Sequence, residues 1–294
     1  MIKKNSVSLI IPINSDEIRV LLRYKKLLRG TLSYLSSYKK FCVLDDKKNF
    51  LNLLARYNYP HPKTFKGIIF NKKLVIKPRC GSSSKGIVFI KKSTLRLKPY
   101  LERGLKMRKL LIQEFISGEG FGFSGFFKNG KILESYAHKR VAEFPSTGGS
   151  SVIREKASKA DYFKLKNLVK KVLKQVPWSG FAMFEFKKTN KGKFVFLECN
   201  PRIWGSIHQG LANGVNYFKP ILGPTFVKTE NKTSDCSTEL FPLSLCSKIG
   251  YLFQGKITKI LSISKKYANS KQDVCLFSDP NGFLSLCLRF IKKI

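Results

Sequence analysis

The sequence predicts an α+β protein of two lobes built on antiparallel sheets, preceded by a small region in which strands and helices alternate. Three observations carry this. From residue 63 onward, alternating runs such as KLLIQEFI (109–116), FGFSGFFKNGKILESYAHKRV (121–141) and GFAMFEFKKTNKGKFVFLECNP (180–201) contain Asn-Gly or Lys-Gly turns, the mark of hairpins. One long pattern, ADYFKLKNLVKKVLKQV (160–176), repeats its apolar residues at three- and four-residue steps and predicts a helix between the hairpins. Before residue 63 the texture alternates instead. There VSLIIPI (7–13) is predicted as a buried strand, EIRVLLRYKKLL (17–28) as a helix and FCVL (41–44) as a short extended piece. DDKKNFLNLLARYN (45–58) follows as a helix capped by Asp45 or Asp46 and stopped by Pro60 and Pro62. The expected units are residues 1–62, a small lobe at 63–116, a large lobe at 117–223 and a helical tail at 224–294. Helices are expected at 240–253 and near 283–293 in that tail.

Composition narrows the function classes. No apolar run approaches the roughly 18–20 residues needed to cross a bilayer, and LFPLSLCSKIGYLF (240–253) is broken by Lys248. The N-terminal apolar run is short, contains Pro12 and lacks a small-residue cleavage site, so a strand is expected there rather than a signal peptide. Seven scattered cysteines without a CxxC pair predict reduced thiols in a cytoplasmic protein, and three histidines argue against a zinc site. The net charge of +38 invites a polyanion partner. However, lysine supplies 44 of the 56 basic residues, and they are spread along the whole chain with no basic block. That distribution matches a coding bias and argues against nucleic acid, whose recognition leans on the arginine fork. It leaves room for weak binding to an anionic surface.

Acidic residues are scarce, 18 in all, so carboxylates inside apolar strands need a reason. Alternation puts Phe181, Met183 and Glu185 on one face of the first strand of the 180–201 hairpin. It puts Phe194, Phe196, Glu198 and Asn200 on one face of the second. A two-residue loop at Lys191-Gly192 would set Glu185 opposite Glu198, roughly 5 Å apart. Two carboxylates that close call for a proton or a cation, and with the Asn200 carbonyl they form an all-oxygen set of the kind that takes Mg²⁺. A hairpin with both acids in water is the alternative. Upstream, VIKPRCGSSSKGIVFI (75–90) reads as strand, glycine- and serine-rich loop, strand. Its loop donors could fold over phosphates, with Lys77 as a point charge. No Lys-Ser or Lys-Thr pair opens a helix there, so it is not a Walker loop.

Taken in order, the lysine strand, the Gly/Ser-rich loop, the QEFI strand and the paired Glu strands ending ECNPR resemble the ATP-grasp superfamily. The stretches QEFISGEGFGFSGFF (113–127), AHKRVAEFPSTGGSSVIRE (137–155) and ECNPRIWGSIHQGLANGV (198–215) are similar to its carboxylate–amine ligase branch. The resemblance implies ATP held between two lobes, with Mg²⁺ (or Mn²⁺) bound by Glu185, Glu198 and Asn200. It implies that Lys47 and Lys77 contact the phosphates under a flap of Gly81, Ser82, Ser83, Ser84 and Gly86. Gln113, Glu114, Phe115 and Ile116 would hold adenine. Gly120 occupies the position of the family's ribose-binding Glu, and Glu119 beside it is the candidate in its place. Arg202, Arg154, Arg140 and His138 would line the phosphoryl and acyl side, with residues 146–151 as a loop over the substrate. The family has a Rossmann-like domain before this point, so residues 1–62 are expected as a shortened remnant of it. The activity implied is an ATP-dependent ligase joining a small-molecule carboxylate to an amine, or to a thiol, through an acyl phosphate. A nucleotide-binding module without ligase turnover, docked on an acidic partner, is the second reading. ADP release in the presence of candidate acids and amines separates the two.

Overall fold

A computed structural model describes residues 7–28, 31, 34–69, 72–81, 86–90, 109–146, 148–223, 235–274 and 279–291. Two sheets organise it. The smaller has four strands, β1 (Thr64–Phe65), β2 (Leu74–Pro78), β3 (Val88–Phe89) and β4 (Leu110–Glu114), in the order β1-β4-β2-β3, all antiparallel. On β2 the alternation is clear: Leu74 and Ile76 join Ile112 in a small core, while Val75 and Lys77 face a cavity.

The larger sheet is built on β5 (Glu119–Lys128), β6 (Lys131–Phe144), β7 (Ser150–Lys156), β8 (Gly180–Lys188) and β9 (Phe194–Asn200). The predicted Asn129-Gly130 turn joins β5 to β6 with both residues at positive φ, 49° and 79°, as a tight two-residue hairpin requires. Between β7 and β8 runs α4 (Lys159–Gln175). Ser158 caps it by accepting from the Asp161 N–H at 3.1 Å. Its buried Leu165, Val169, Val172 and Leu173 lie on one stripe and pack on the sheet's aromatic face, among Phe121, Phe123 and Phe127.

The N-terminal region differs from expectation. Residues 7–13 form no strand; Ile10 is held by its N–H to the Thr31 carbonyl, and its own carbonyl accepts from the Tyr34 hydroxyl. Residues 41–44 lie within α2 (Tyr38–Asp45), which Ser37 caps, so that Phe41 and Leu44 share a buried face. Preceded by α1 (Ser15–Arg23) and a 3₁₀ turn (Lys25–Leu28), α2 leads into α3 (Lys47–Arg56). The described part of this region is therefore helical rather than alternating. It is a layer whose Phe41, Leu44, Phe50 and Leu54 pack into the same core as Phe184, Phe186, Phe194 and Phe196.

After β9 come two short helices, α5 (Ile207–Leu211) and α6 (Lys219–Leu222). The segment expected as a helical tail also extends the large sheet. Its β10 (Thr238–Glu239) pairs antiparallel with β7, and β11 (Lys271–Gln272) pairs parallel with β10, giving the order β11-β10-β7-β6-β5-β8-β9. Its helices are α7 (Leu243–Leu252), α8 (Ile257–Lys266) and α9 (Pro280–Ile291). No helix among the described residues is long and apolar enough to cross a membrane.

Candidate nucleotide and metal site between the two sheets

The β8–β9 hairpin sets the centre of the site by a route that the sequence conceals. Its loop has three residues, with the Thr189 N–H on the Lys193 carbonyl and Gly192 at φ 74°. A bulge near Leu197 then shifts the register by one, which restores Glu185 directly opposite Glu198. The bulge also changes which side chains share a face. Phe194, Phe196 and Cys199 enter the core, while Leu197, Glu198 and Asn200 line the cavity. Phe194 and Phe196 therefore lie opposite Glu198 and Asn200, not beside them.

Charge from both lobes converges on this pair. Lys77 Nζ donates to the Leu197 carbonyl at 3.2 Å, so the bulged residue becomes a point of contact between the sheets. Lys47, at the first turn of α3, lies 3.3 Å from Glu198 Oε2 and donates to the Gly81 carbonyl at 3.1 Å. Asp46 caps that helix and also holds Arg79 at 2.7 Å, tying the end of β2 to the start of α3. Arg140 Nη1 reaches Glu185 Oε2 at 3.1 Å, its Nε reaches Glu143 Oε1 at 3.1 Å, and its Nη2 donates to the Gly149 carbonyl. Asn200 donates to Glu185 Oε1 at 3.2 Å and accepts from Arg202 at 3.0 Å. Burial and the facing Glu198 raise the Glu185 carboxyl above its ordinary range. Burial would raise Glu198 as well, but Lys47 and Lys77 outweigh it and hold Glu198 low. Burial, with Lys47 adding to it, lowers Lys77 against the pull of both glutamates.

A cavity of about 370 Å³ opens beside these groups, within the range of small-ligand sites. Its small-lobe end carries apolar residues, Val75, Ile87, Phe89, Phe115 and Ile116. Gln113 is almost fully buried there, and its Nε2 has no hydrogen-bond partner among the described residues. Glu114 also lines this end while accepting from the Lys63 N–H at 2.8 Å. Gly148 of the 146–151 loop lies against the small lobe: a Cβ there would come within 2.8 Å of the Phe89 ring. Gly149, Ser150 and Ser151 continue that wall.

Of the site residues expected from sequence, Lys47, Lys77, Gly81, Gln113 to Ile116, His138, Arg140, Glu185, Glu198, Asn200 and Arg202 all line this cavity. Ser82, Ser83 and Ser84 lie outside the described residues, and Gly86 is not among the lining residues but lies against Pro78, which is. Glu119 does not line the cavity; it pairs with Lys139 at the exposed start of β5. Arg154 is the larger correction. It is fully buried away from the cavity, clamped by Asp273 at 2.6 and 2.9 Å and by the Ser151 carbonyl and Thr238. Sequence reading missed Glu143, Lys187 and Trp204, and Leu240 and Leu243 from the tail, all of which line the cavity. Glu143 was findable, as one of few acids flanked by apolar strand residues; the tail leucines carried no such signal.

His138 is buried against Gly122, where any Cβ would come within 2.4 Å of its ring. Burial, then Arg154 and Arg140, push its imidazole down to about 3, so it is neutral at ordinary pH. The unfolded chain, with His138 near its ordinary value of 6.5, binds more protons between these two values. Stability from this group is therefore complete above that range and is lost as pH falls from about 6.5 toward 3. Urea unfolding between about pH 7 and 5 is expected to show stability falling with acid by up to about 1.4 kcal/mol per unit, and His138→Gln should flatten the slope. Equal slopes in both proteins would contradict this placement.

The sequence profile of the ATP-grasp domain matches residues 44–206, and the chain belongs to that family. Solved structures agree on the fold. The biotin carboxylase domain of the Hydrogenobacter thermophilus 2-oxoglutarate carboxylase, in complex with MgADP, ADP and bicarbonate, superposes with a TM-score of 0.62 at 16% identity. That match covers 74% of this chain and 53% of the other. Biotin carboxylase from Campylobacter jejuni gives 0.59 at 12% identity, covering 78% and 57%. The L-amino acid ligase from Bacillus licheniformis gives 0.57 at 14% identity, covering 80% and 62%. The chain thus spans a little over half the length of these structures. No curated protein matches it.

Proposed function

We infer that this protein is an ATP-dependent ligase that phosphorylates a substrate carboxylate and passes the acyl group to an amine, or to a thiol. One observation carries the reading: Lys47 meets Glu198, with Lys77 on the adjacent Leu197 carbonyl and Glu185 opposite, at the seam of two sheets beside a cavity lined by both polar and apolar residues. The small-lobe end, with the unpartnered Gln113 Nε2, suits a purine ring. Lys47 and Lys77 would hold the phosphates, with Gly81 at the edge of the flap.

Among the described residues, no cluster of three or more His, Cys, Asp and Glu side chains is arranged to hold a metal ion. Two facing glutamates nevertheless fit a hard divalent cation, and burial together with the facing Glu198 raises the Glu185 carboxyl. The Asn200 amide, whose nitrogen faces Glu185 and whose oxygen accepts from Arg202, would turn over to offer that oxygen. Glu185, Glu198 and Asn200 would hold Mg²⁺, or Mn²⁺, which supplies charge neutralisation at the phosphates. Arg140 and Arg202 would bind the anionic oxygens as phosphoryl leaves ATP, a reaction that needs positioning and charge more than a covalent side chain. His138, neutral and buried, would orient rather than exchange protons. The wall formed by Gly149 to Ser151, Trp204 and Leu243 is left for the acceptor carboxylate and the incoming nucleophile.

Calorimetry on Lys77→Ala tests the nucleotide end: ATP affinity is expected to fall by about 1.5–3 kcal/mol, the size of a charge-assisted contact. Unchanged affinity would remove Lys77 from the site. ADP release screened over amino acids and amines tests turnover. ATP binding without any stimulated release would favour the module without ligase activity.

A further inference from the structure

Helix α7 is turned inside out. Its fully buried positions are Ser244, Ser247 and Tyr251, with Leu243 partly buried beside them, and the Ser247 hydroxyl donates to the Glu143 carbonyl at 2.7 Å. Its outward face carries Leu245 and Ile249 and runs on into Phe253, a single stripe at four-residue spacing, with Leu252 beside it. Phe253, at the turn into α8, is 87% exposed. A helix on a soluble protein ordinarily buries its apolar stripe and wets its serines. This one is held in the opposite sense by specific contacts. A Cβ on Gly250 would come within 2.5 Å of Ser146 Oγ, and the Gln254 amide donates to that same oxygen at 2.6 Å. Helix α8 adds to the patch. It turns Ile263 inward and shows Ile257 and Leu261 to solvent, the latter 64% exposed.

The charge around the patch indicates what covers it. Residues 243–266 contain five lysines and no acidic residue. Lys248 and Lys266 are engaged by Glu239 and Glu155. Lys256, Lys259 and Lys265 are exposed and have no acidic partner among the described residues. A second copy of the chain, itself at +38, would bring lysine against lysine. A folded partner would need a pocket shaped for a protruding Phe253. A bilayer needs none: it accepts apolar side chains at the acyl boundary while its anionic headgroups meet the lysines.

We propose that α7 and α8 dock this protein on an anionic lipid surface, with Leu245, Ile249, Phe253 and Leu261 entering the headgroup boundary and Lys256, Lys259 and Lys265 contacting lipid phosphates.

Flotation of the full chain with vesicles tests this, using phosphatidylcholine alone and phosphatidylcholine with about 30% phosphatidylserine at roughly 150 mM salt. Saturable binding to the anionic vesicles is expected, at least about tenfold stronger than to the neutral ones, since each lysine near the surface contributes. The double substitution Phe253→Ser with Leu261→Ser should lower that binding at least about tenfold, because two large apolar groups leave the boundary. Circular dichroism should be unchanged. If the double variant does not fold, Phe253→Ser alone serves, at a position with no packing to lose. Lack of binding to anionic vesicles, or equal binding by wild type and variant, would overturn the proposal. A dimer at micromolar concentration that Phe253→Ser dissolves would overturn it in favour of self-association.

Discussion

Replacing Glu198 with Gln is expected to abolish Mg-dependent ATP turnover, by at least about 10²–10³-fold, while leaving the fold intact. The side chain keeps its volume and stays opposite Glu185, so packing is undisturbed. What is lost is the charge that Lys47 and Lys77 are arranged around and one of two carboxylates able to hold a divalent ion. The same change removes one contribution to the raised Glu185 carboxyl but takes from the buried Lys47 its carboxylate partner, so any stability change is the balance of the two and is measured beside turnover. Phosphate release with and without Mg²⁺, alongside thermal denaturation, measures both. Near-full Mg-dependent turnover in Glu198→Gln would refute the metal assignment.

Removing Asp273 is expected to produce the largest stability change, a loss of about 3–5 kcal/mol in Asp273→Ala. The carboxylate holds a fully buried Arg154 through two bonds and also accepts from His208 at 3.2 Å. Deleting it leaves a guanidinium in the interior with its main counter-charge gone. The cost therefore reflects an uncompensated charge more than the worth of the pair. Arg154→Met combined with Asp273→Leu should recover most of the loss, since apolar side chains need no partner. Urea unfolding of the three proteins tests this. A loss below about 1 kcal/mol in Asp273→Ala would mean that the tail does not anchor the large sheet.

These two sites also show what the sequence made legible. Glu185 and Glu198 stood out because acids are rare here and both interrupt aromatic strands. Their opposition was read correctly, but through a two-residue loop. The molecule instead uses a three-residue loop and a compensating bulge, which alternation cannot register and which sends Phe194 and Phe196 to the other face. Arg154 was placed at the site by the family resemblance, and no pattern in the strand itself says which way it points. Its partner lies 119 residues away in a segment with little periodic signal. Residues 7–13 have the composition of a buried strand, but a strand also needs a neighbour, and among the described residues the Ile10 backbone bonds to the Thr31 carbonyl and the Tyr34 hydroxyl rather than to a strand. The inverted face of α7 was hidden for a related reason: periodicity finds a stripe but not the side it faces.

The central claim is that ATP bound at this seam phosphorylates a carboxylate, and oxygen transfer tests it most directly. The protein is incubated with Mg-ATP, an amine and the amino acid that stimulates ADP release, labelled with ¹⁸O in its carboxylate. Phosphate carrying one ¹⁸O atom, formed together with ADP, is the result expected, because the acyl phosphate leaves its bridging oxygen on phosphorus when the amine attacks. Unlabelled phosphate, or release of AMP and pyrophosphate, would contradict it.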